Sequence, residues 1–173
     1  MAVPSQETAA VGQFIAASLW NDDVRDAVDF LTDVPRCSIY QTATTNMATS
    51  GTAALMLFDT EQYDSDGMHS TSSNTGRITA TTAGLYSVRF NLAFAANATG
   101  IRTASLRKNG TEVTFARTPA TSAGIAACGG AFDVYLAAGD YLELWGTQTS
   151  GGALASSAGA SGTTMQARWV AAS

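Results

Sequence analysis

His69 is the only histidine in 173 residues, so imidazole chemistry in this chain has one place to happen. A zinc site would need a partner for it, and a serine triad would have to use it as base. The serines are numerous, yet none stands in a Gly-x-Ser-x-Gly elbow. Beside the Gly67-Met68 turn, His69 reads as a solvated or hydrogen-bonded loop residue. The expectation is a protein with no catalytic residue and no cofactor.

The acidic run Asp59, Glu61, Asp64, Asp66 raises calcium, which takes several oxygen ligands. Asp64-Ser65-Asp66-Gly67 resembles part of a calcium loop, but Ser73 stands where the bidentate Glu is required. A solvated turn is the expectation, with Asp64 and Asp66 the calcium candidates. Two cysteines, Cys37 and Cys128, are expected as free, mostly buried thiols.

The elements that position these residues are mainly strands. Tyr86, Val88, Phe90, Leu92 and Phe94 alternate with Ser87, Arg89 and Asn91, the period of a long half-buried strand. Further short strands are expected at residues 37–41, 52–58, 77–81, 101–108 and 111–115. Asn109-Gly110 is the strongest hairpin signal, since a tight primed turn needs positive φ at both central positions. Phe132, Val134 and Leu136 alternate in a later strand, Gly139-Asp140 turns it into 141–145, and Met165, Ala167 and Trp169 line a last one. Residues 59–69 read as an acidic turn-rich segment, and 97–100 and 146–162 as loops. Eight to ten antiparallel strands with regular turns indicate a sandwich or barrel.

Residues 1–17 read as an extended arm. Ser18 offers an N-cap to a helix over 19–31, in which Trp20, Val24, Ala27 and Leu31 have the 4, 3, 4 spacing of a coiled-coil seam. Arg25 and Asp29 can pair on its outer side. So short a helix must dock, either on its own domain or on other copies or a larger assembly. Pro35 ends it. This divides the chain into an arm and attachment or trimerisation helix, 1–35, and an all-β domain, 36–173.

Charged residues make up 13% and the net charge is −5, with no basic cluster to follow a phosphate backbone. Nucleic-acid binding is not expected. The N-terminus lacks the blocks of a signal peptide, and no apolar run approaches a membrane span.

Residues 84–90, the Asn109-Gly110 hairpin, the turn at 136–144 and the terminal strand together resemble the jelly-roll heads of complement component one subunit q and tumour necrosis factor, over 36–173. Val88 and Ile78 stand where that family commonly has Phe, and the collagen-like stem of its animal members is absent. Residues 19–31 with Pro35-Arg36, 58–61 and 66–69 resemble small virion proteins of tailed phages of actinobacteria. Together these resemblances imply a jelly-roll sandwich with a short N-terminal helix, in a homotrimeric virion module of the tail or, alternatively, the capsid surface. Its other implied partners are virion proteins, through the arm and helix.

Two surfaces remain. Tyr135, Tyr141 and Trp145 fall out of phase with the inward residues of their strands and are candidates for a subunit interface, unless the 146–162 loop or the arm covers them. The loop tips 97–100, 118–124 and 146–162 are candidates for contact with a host cell-surface glycan or protein.

Overall fold

The computed structural model describes the chain except residues 1–2, 5–10, 13, 15–16, 123 and 173. Two antiparallel sheets form a jelly-roll sandwich. The first has the strand order β4-β1-β12-β6-β9: Thr60–Asp64, Arg36–Tyr40, Thr164–Ala171, Gly84–Phe94 and Ala126–Leu136. The second has the order β3-β10-β7-β8: Ala54–Leu55, Tyr141–Gln148, Asn97–Lys108 and Thr111–Thr121, with β5 (Arg77–Thr79) also on β10. A small ladder joins β2 (Asn46–Met47) to β11 (Leu154–Ala155).

The alternation in 84–94 does what its period implies. Tyr86, Val88, Phe90, Leu92 and Phe94 are all buried, and β6 is paired on both sides, by β12 and β9. Leu106, Leu142, Leu144 and Ile78 meet them from the second sheet. Non-local pairing of this kind needs each strand to show one apolar face, which is why the alternating stretches are the ones that became central.

Several segments differ from their sequence readings. Residues 60–64 form an edge strand, not a turn; their side chains are half-buried or exposed, so no apolar alternation marks them. Strand β7 begins at Asn97, inside the expected loop, with an irregular register between Asn97 and Ile101. Residues 52–58 contribute only the two-residue β3. The 146–162 stretch opens as the end of β10 and contains β11.

The helical region comprises α1 (Ala17–Leu19), a π-helical segment (Trp20–Arg25) and α2 (Asp26–Thr32). It starts one residue ahead of Ser18, so that residue lies inside its first turn and not at the cap. Arg25 pairs with Asp26 at 2.8 Å rather than with Asp29. The docking contact is a residue outside the expected seam. Phe30 is 4% exposed and stands edge-on to Trp169, centroids 4.8 Å apart, while Val34 joins the same core. Phe30→Ala is expected to release the helix while the sheets remain folded, since Phe30 is the buried side chain by which α2 holds the sandwich. Amide exchange that rises throughout α2 but not in β6 would establish this.

Candidate interaction surfaces

The residues that could do chemistry are occupied locally. The His69 side chain is fully buried, with Nδ1 2.8 Å from Glu61 Oε1 and Nε2 3.2 Å from the Thr75 carbonyl. Each ring nitrogen is therefore already engaged with an oxygen of the protein. No nitrogen is left to deprotonate a serine. The ring pins the β4–β5 connection against the edge strand.

The calcium candidates are each engaged in hydrogen bonds with the surrounding turn and loop. Asp64 accepts the backbone N–H groups of Asp66, Met68 and His69 at 3.2, 3.0 and 2.8 Å. Asp66 accepts the hydroxyls of Thr81 and Thr82. One carboxylate closes a turn and the other ties that turn to the next loop.

Cys37 and Cys128 are free and buried. They lie on β1 and β9, at three strand spacings or roughly 14 Å, beyond any disulfide. Burial pushes the Cys128 thiol up to about 11, and burial, followed by the nearby Asp64 and Glu61, raises Cys37 further. Both are held as inert thiols.

Tyr135, Tyr141 and Trp145 do not share a face. Tyr135 is on β9 of the first sheet and 43% exposed; the other two are half-buried on β10 of the second. Arginines lie over both Tyr141 and Trp145. The Arg77 guanidinium lies 3.9 Å from the Tyr141 ring and that of Arg107 4.3 Å from Trp145. Glu143 links them, accepting from Arg77 at 2.9 Å and from the Trp145 indole N–H at 3.1 Å. Spacing showed the outward aromatics, but the arginines come from β5 and β7, which only the sheet order brings alongside.

The helix seam is open. Trp20 is 56% and Leu31 69% exposed, and Val24 and Val28 are exposed beside them, while Ala27 is half-buried. Large apolar side chains in a row on one short helix are not explained by the chain's own core.

The three expected loops gather at one end. Asn97 pairs across from Thr121, and Ile101 and Thr149 exchange contacts at 2.8 and 3.1 Å. Under them lies Arg102, fully buried, donating to the carbonyls of Asn97 and Thr99 at 2.9 and 2.8 Å. A buried cation that holds backbone carbonyls fixes the loop base, and nothing in the local sequence marks it as buried. The helix docks on Trp169, which pairs with Tyr86 near the start of β6, whereas the loops lie beyond Phe94 at its end. The eight residue steps of β6 from Tyr86 to Phe94 separate the two surfaces by roughly 26 Å.

At the helix end, the β7–β8 and β9–β10 turns are tied through Asp140. It accepts from Lys108 at 2.8 Å, from the Asn109 amide at 2.7 Å and from the Ala137 N–H at 2.9 Å. These contacts, Lys108 first, hold its carboxyl down at about 2. A carboxyl with a lowered folded value contributes stability above the unfolded value of about 4 and loses it as pH falls through 2. In Asp140→Asn, the fall in melting temperature between pH 4 and pH 2 is expected to be shallower by the equivalent of about 1 kcal/mol.

No family model matches the chain, and no curated protein matches it. Solved structures do. The chain is similar to the crystal structure of murine APRIL at pH 8.5, with a TM-score of 0.61 at 11% identity, covering 79% of this chain and 98% of that one. It is likewise similar to the Eiger TNF from S. frugiperda (TM-score 0.59, 13% identity, 80% and 94%) and to the globular domain of zebrafish complement 1qA protein (0.56, 14%, 80% and 99%). Over four fifths of its length, the chain therefore has the jelly-roll fold shared by tumour necrosis factor-like and complement 1q-like domains.

Proposed function

We propose that this protein is a non-enzymatic structural component of a tailed-phage virion: a homotrimeric surface module of the tail, attached through residues 1–35 and presenting its loop end outward. The observation that carries this reading is the placement of the uncovered apolar helix and the loop cluster at opposite ends of one sandwich. Such a body has an end suited to burial in an assembly and an end suited to display. Threefold closure satisfies every copy's helix without open-ended growth. The phage setting is supported by the resemblance of residues 19–31, 58–61 and 66–69 to small virion proteins.

Imaging virions that carry a gold-binding tag inserted at Gly151-Gly152, an exposed loop tip, tests it. Label along the tail is the expected result. Label on the capsid would favour a decoration trimer, the alternative reading, and virions without label would end both.

A second reading adds host contact to the same module, favoured by the gathering of three loops at one end. Purified protein retained on host cells, and not retained once residues 150–152 and 121–124 are shortened, is the result it requires.

A further inference from the structure

Beside the helix, on the outer face of the first sheet, runs a groove of about 560 Å³ lined by Leu31, Val34, Ser87, Arg89, Arg168 and Val170, among others. Arg36 stands directly across from Arg168 in the β1–β12 pairing, and Arg89 is Arg168's diagonal neighbour on β6. Like charges set opposite one another on a sheet are destabilising unless something negative lies over them. Arg36 has such a partner in Asp33 at 3.1 Å. Arg89 and Arg168 are exposed and have no ion pair among the described residues, Asp133 on the next strand included.

The opposite charge is concentrated in the helix. Residues 1–35 carry six acidic side chains and one basic, and residues 36–173 carry eight of each, so the entire net charge belongs to the arm and helix. On α2 the residues fall into three stripes at helical spacing. Phe30 points to its own sheet, Ala27, Val28 and Leu31 lie on one flank, and Asp26 and Asp29 lie on the other, with Asp33 at the C-cap. The groove opens on the apolar flank, and Asp29 has no ion pair among the described residues.

We propose that this groove is occupied by the helix of a second copy of this chain, whose acidic flank, Asp29 in particular, lies over Arg89 and Arg168 while its apolar flank meets Leu31. The contact is head-to-tail: each helix enters the neighbour's groove and leaves its own open to the next copy, a pattern that closes as a ring. It rests on the trimer proposed above and assigns that trimer its contact surface and polarity. Complementary charge then sets which way round the copies pack.

Mass in solution measured against concentration and salt tests the inference. Wild type is expected to be a trimer that loosens between about 0.05 M and about 0.5 M salt as the charges are screened. The variant Arg89→Glu with Arg168→Glu is expected to hold its trimer at least about tenfold more weakly at low salt, and adding Asp29→Arg to recover most of the loss. Both arginines are exposed, so an unchanged melting curve for the monomer checks the fold, and the milder pair Arg89→Ser with Arg168→Ser serves if it does not hold. Mixing Asp29→Cys chains with Arg168→Cys chains is expected to give disulfide-linked species absent from either variant alone. A trimer unaffected by the charge reversals, or no cross-link in the mixture, overturns the groove contact and leaves the trimer standing. A wild-type monomer at every concentration overturns the trimer and the contact with it.

Discussion

Trp20→Ser combined with Leu31→Ser is expected to turn the proposed trimer into a monomer without altering the sandwich. Both side chains are more than half exposed in the single chain, so their loss removes almost nothing from its core. In an assembly they would be buried three times over. At roughly 1.5–3 kcal/mol for each fully buried large apolar side chain, the six lost contacts amount to on the order of 10 kcal/mol per trimer. Sedimentation should therefore show monomer at concentrations where wild type is fully associated, with melting of the monomer within about 2 °C of that of wild-type chains diluted to monomer. An intact trimer would mean that the seam faces solvent in the assembly, and the attachment role of the helix would lose its support.

Gly84→Ala is expected to produce the largest loss of stability of any single methyl addition in β6. A Cβ on Gly84 would fall within the van der Waals envelope of Trp169 Nε1 and 2.6 Å from the Ala171 carbonyl oxygen. The indole cannot yield cheaply, because its N–H donates to the Ala83 carbonyl at 3.1 Å and its ring receives Phe30. Overpacking of a filled core costs about 1–3 kcal/mol, and contact with backbone as well places this case at the upper end. For a chain of this size that is a melting temperature lower by roughly 10 °C. The effect should spread to the helix, because displacing Trp169 removes the surface on which Phe30 docks. Exchange protection in α2 is expected to fall together with that of β6 and β12. An unchanged α2 would show that the helix does not depend on this indole.

The two substitutions probe residues of very different legibility. Gly84 opens a stretch in which alternation alone identifies the buried face, and the structure buries all five of its apolar side chains. Asn109-Gly110 is similarly local: Asn109 has φ 50° and Gly110 φ 80°, the conformation its tight turn requires. Leu142 and Leu144, and Met165, Ala167 and Trp169, are buried by the same rule. Strand β4 escaped it because none of its five residues is buried, so no apolar face is written into its pattern. Arg102 escaped it because a guanidinium is ordinarily exposed, and only the folded loop supplies the carbonyls that make its burial tolerable.

Of the candidate surfaces, the seam residues Trp20, Val24, Ala27 and Leu31 were visible as a spacing, but Phe30, which fixes where that seam points, was not. A helical pattern shows that one stripe is apolar; it does not show which of two neighbouring apolar residues meets the core. The aromatics Tyr135, Tyr141 and Trp145 were visible as a phase, yet whether they share a face depends on which sheet each strand joins. Chain order and alternation thus determine by themselves the buried side of each central strand, the hairpins and the existence of a short helix, because those depend on neighbours a few residues away. The strand order β4-β1-β12-β6-β9, the arginines laid over Tyr141 and Trp145, the meeting of three distant loops and the Arg89–Arg168 groove beside the helix were decided only by the tertiary structure. Each joins residues far apart in the chain, and pairing at that range is selected by the packing of the whole sandwich, not by any local preference.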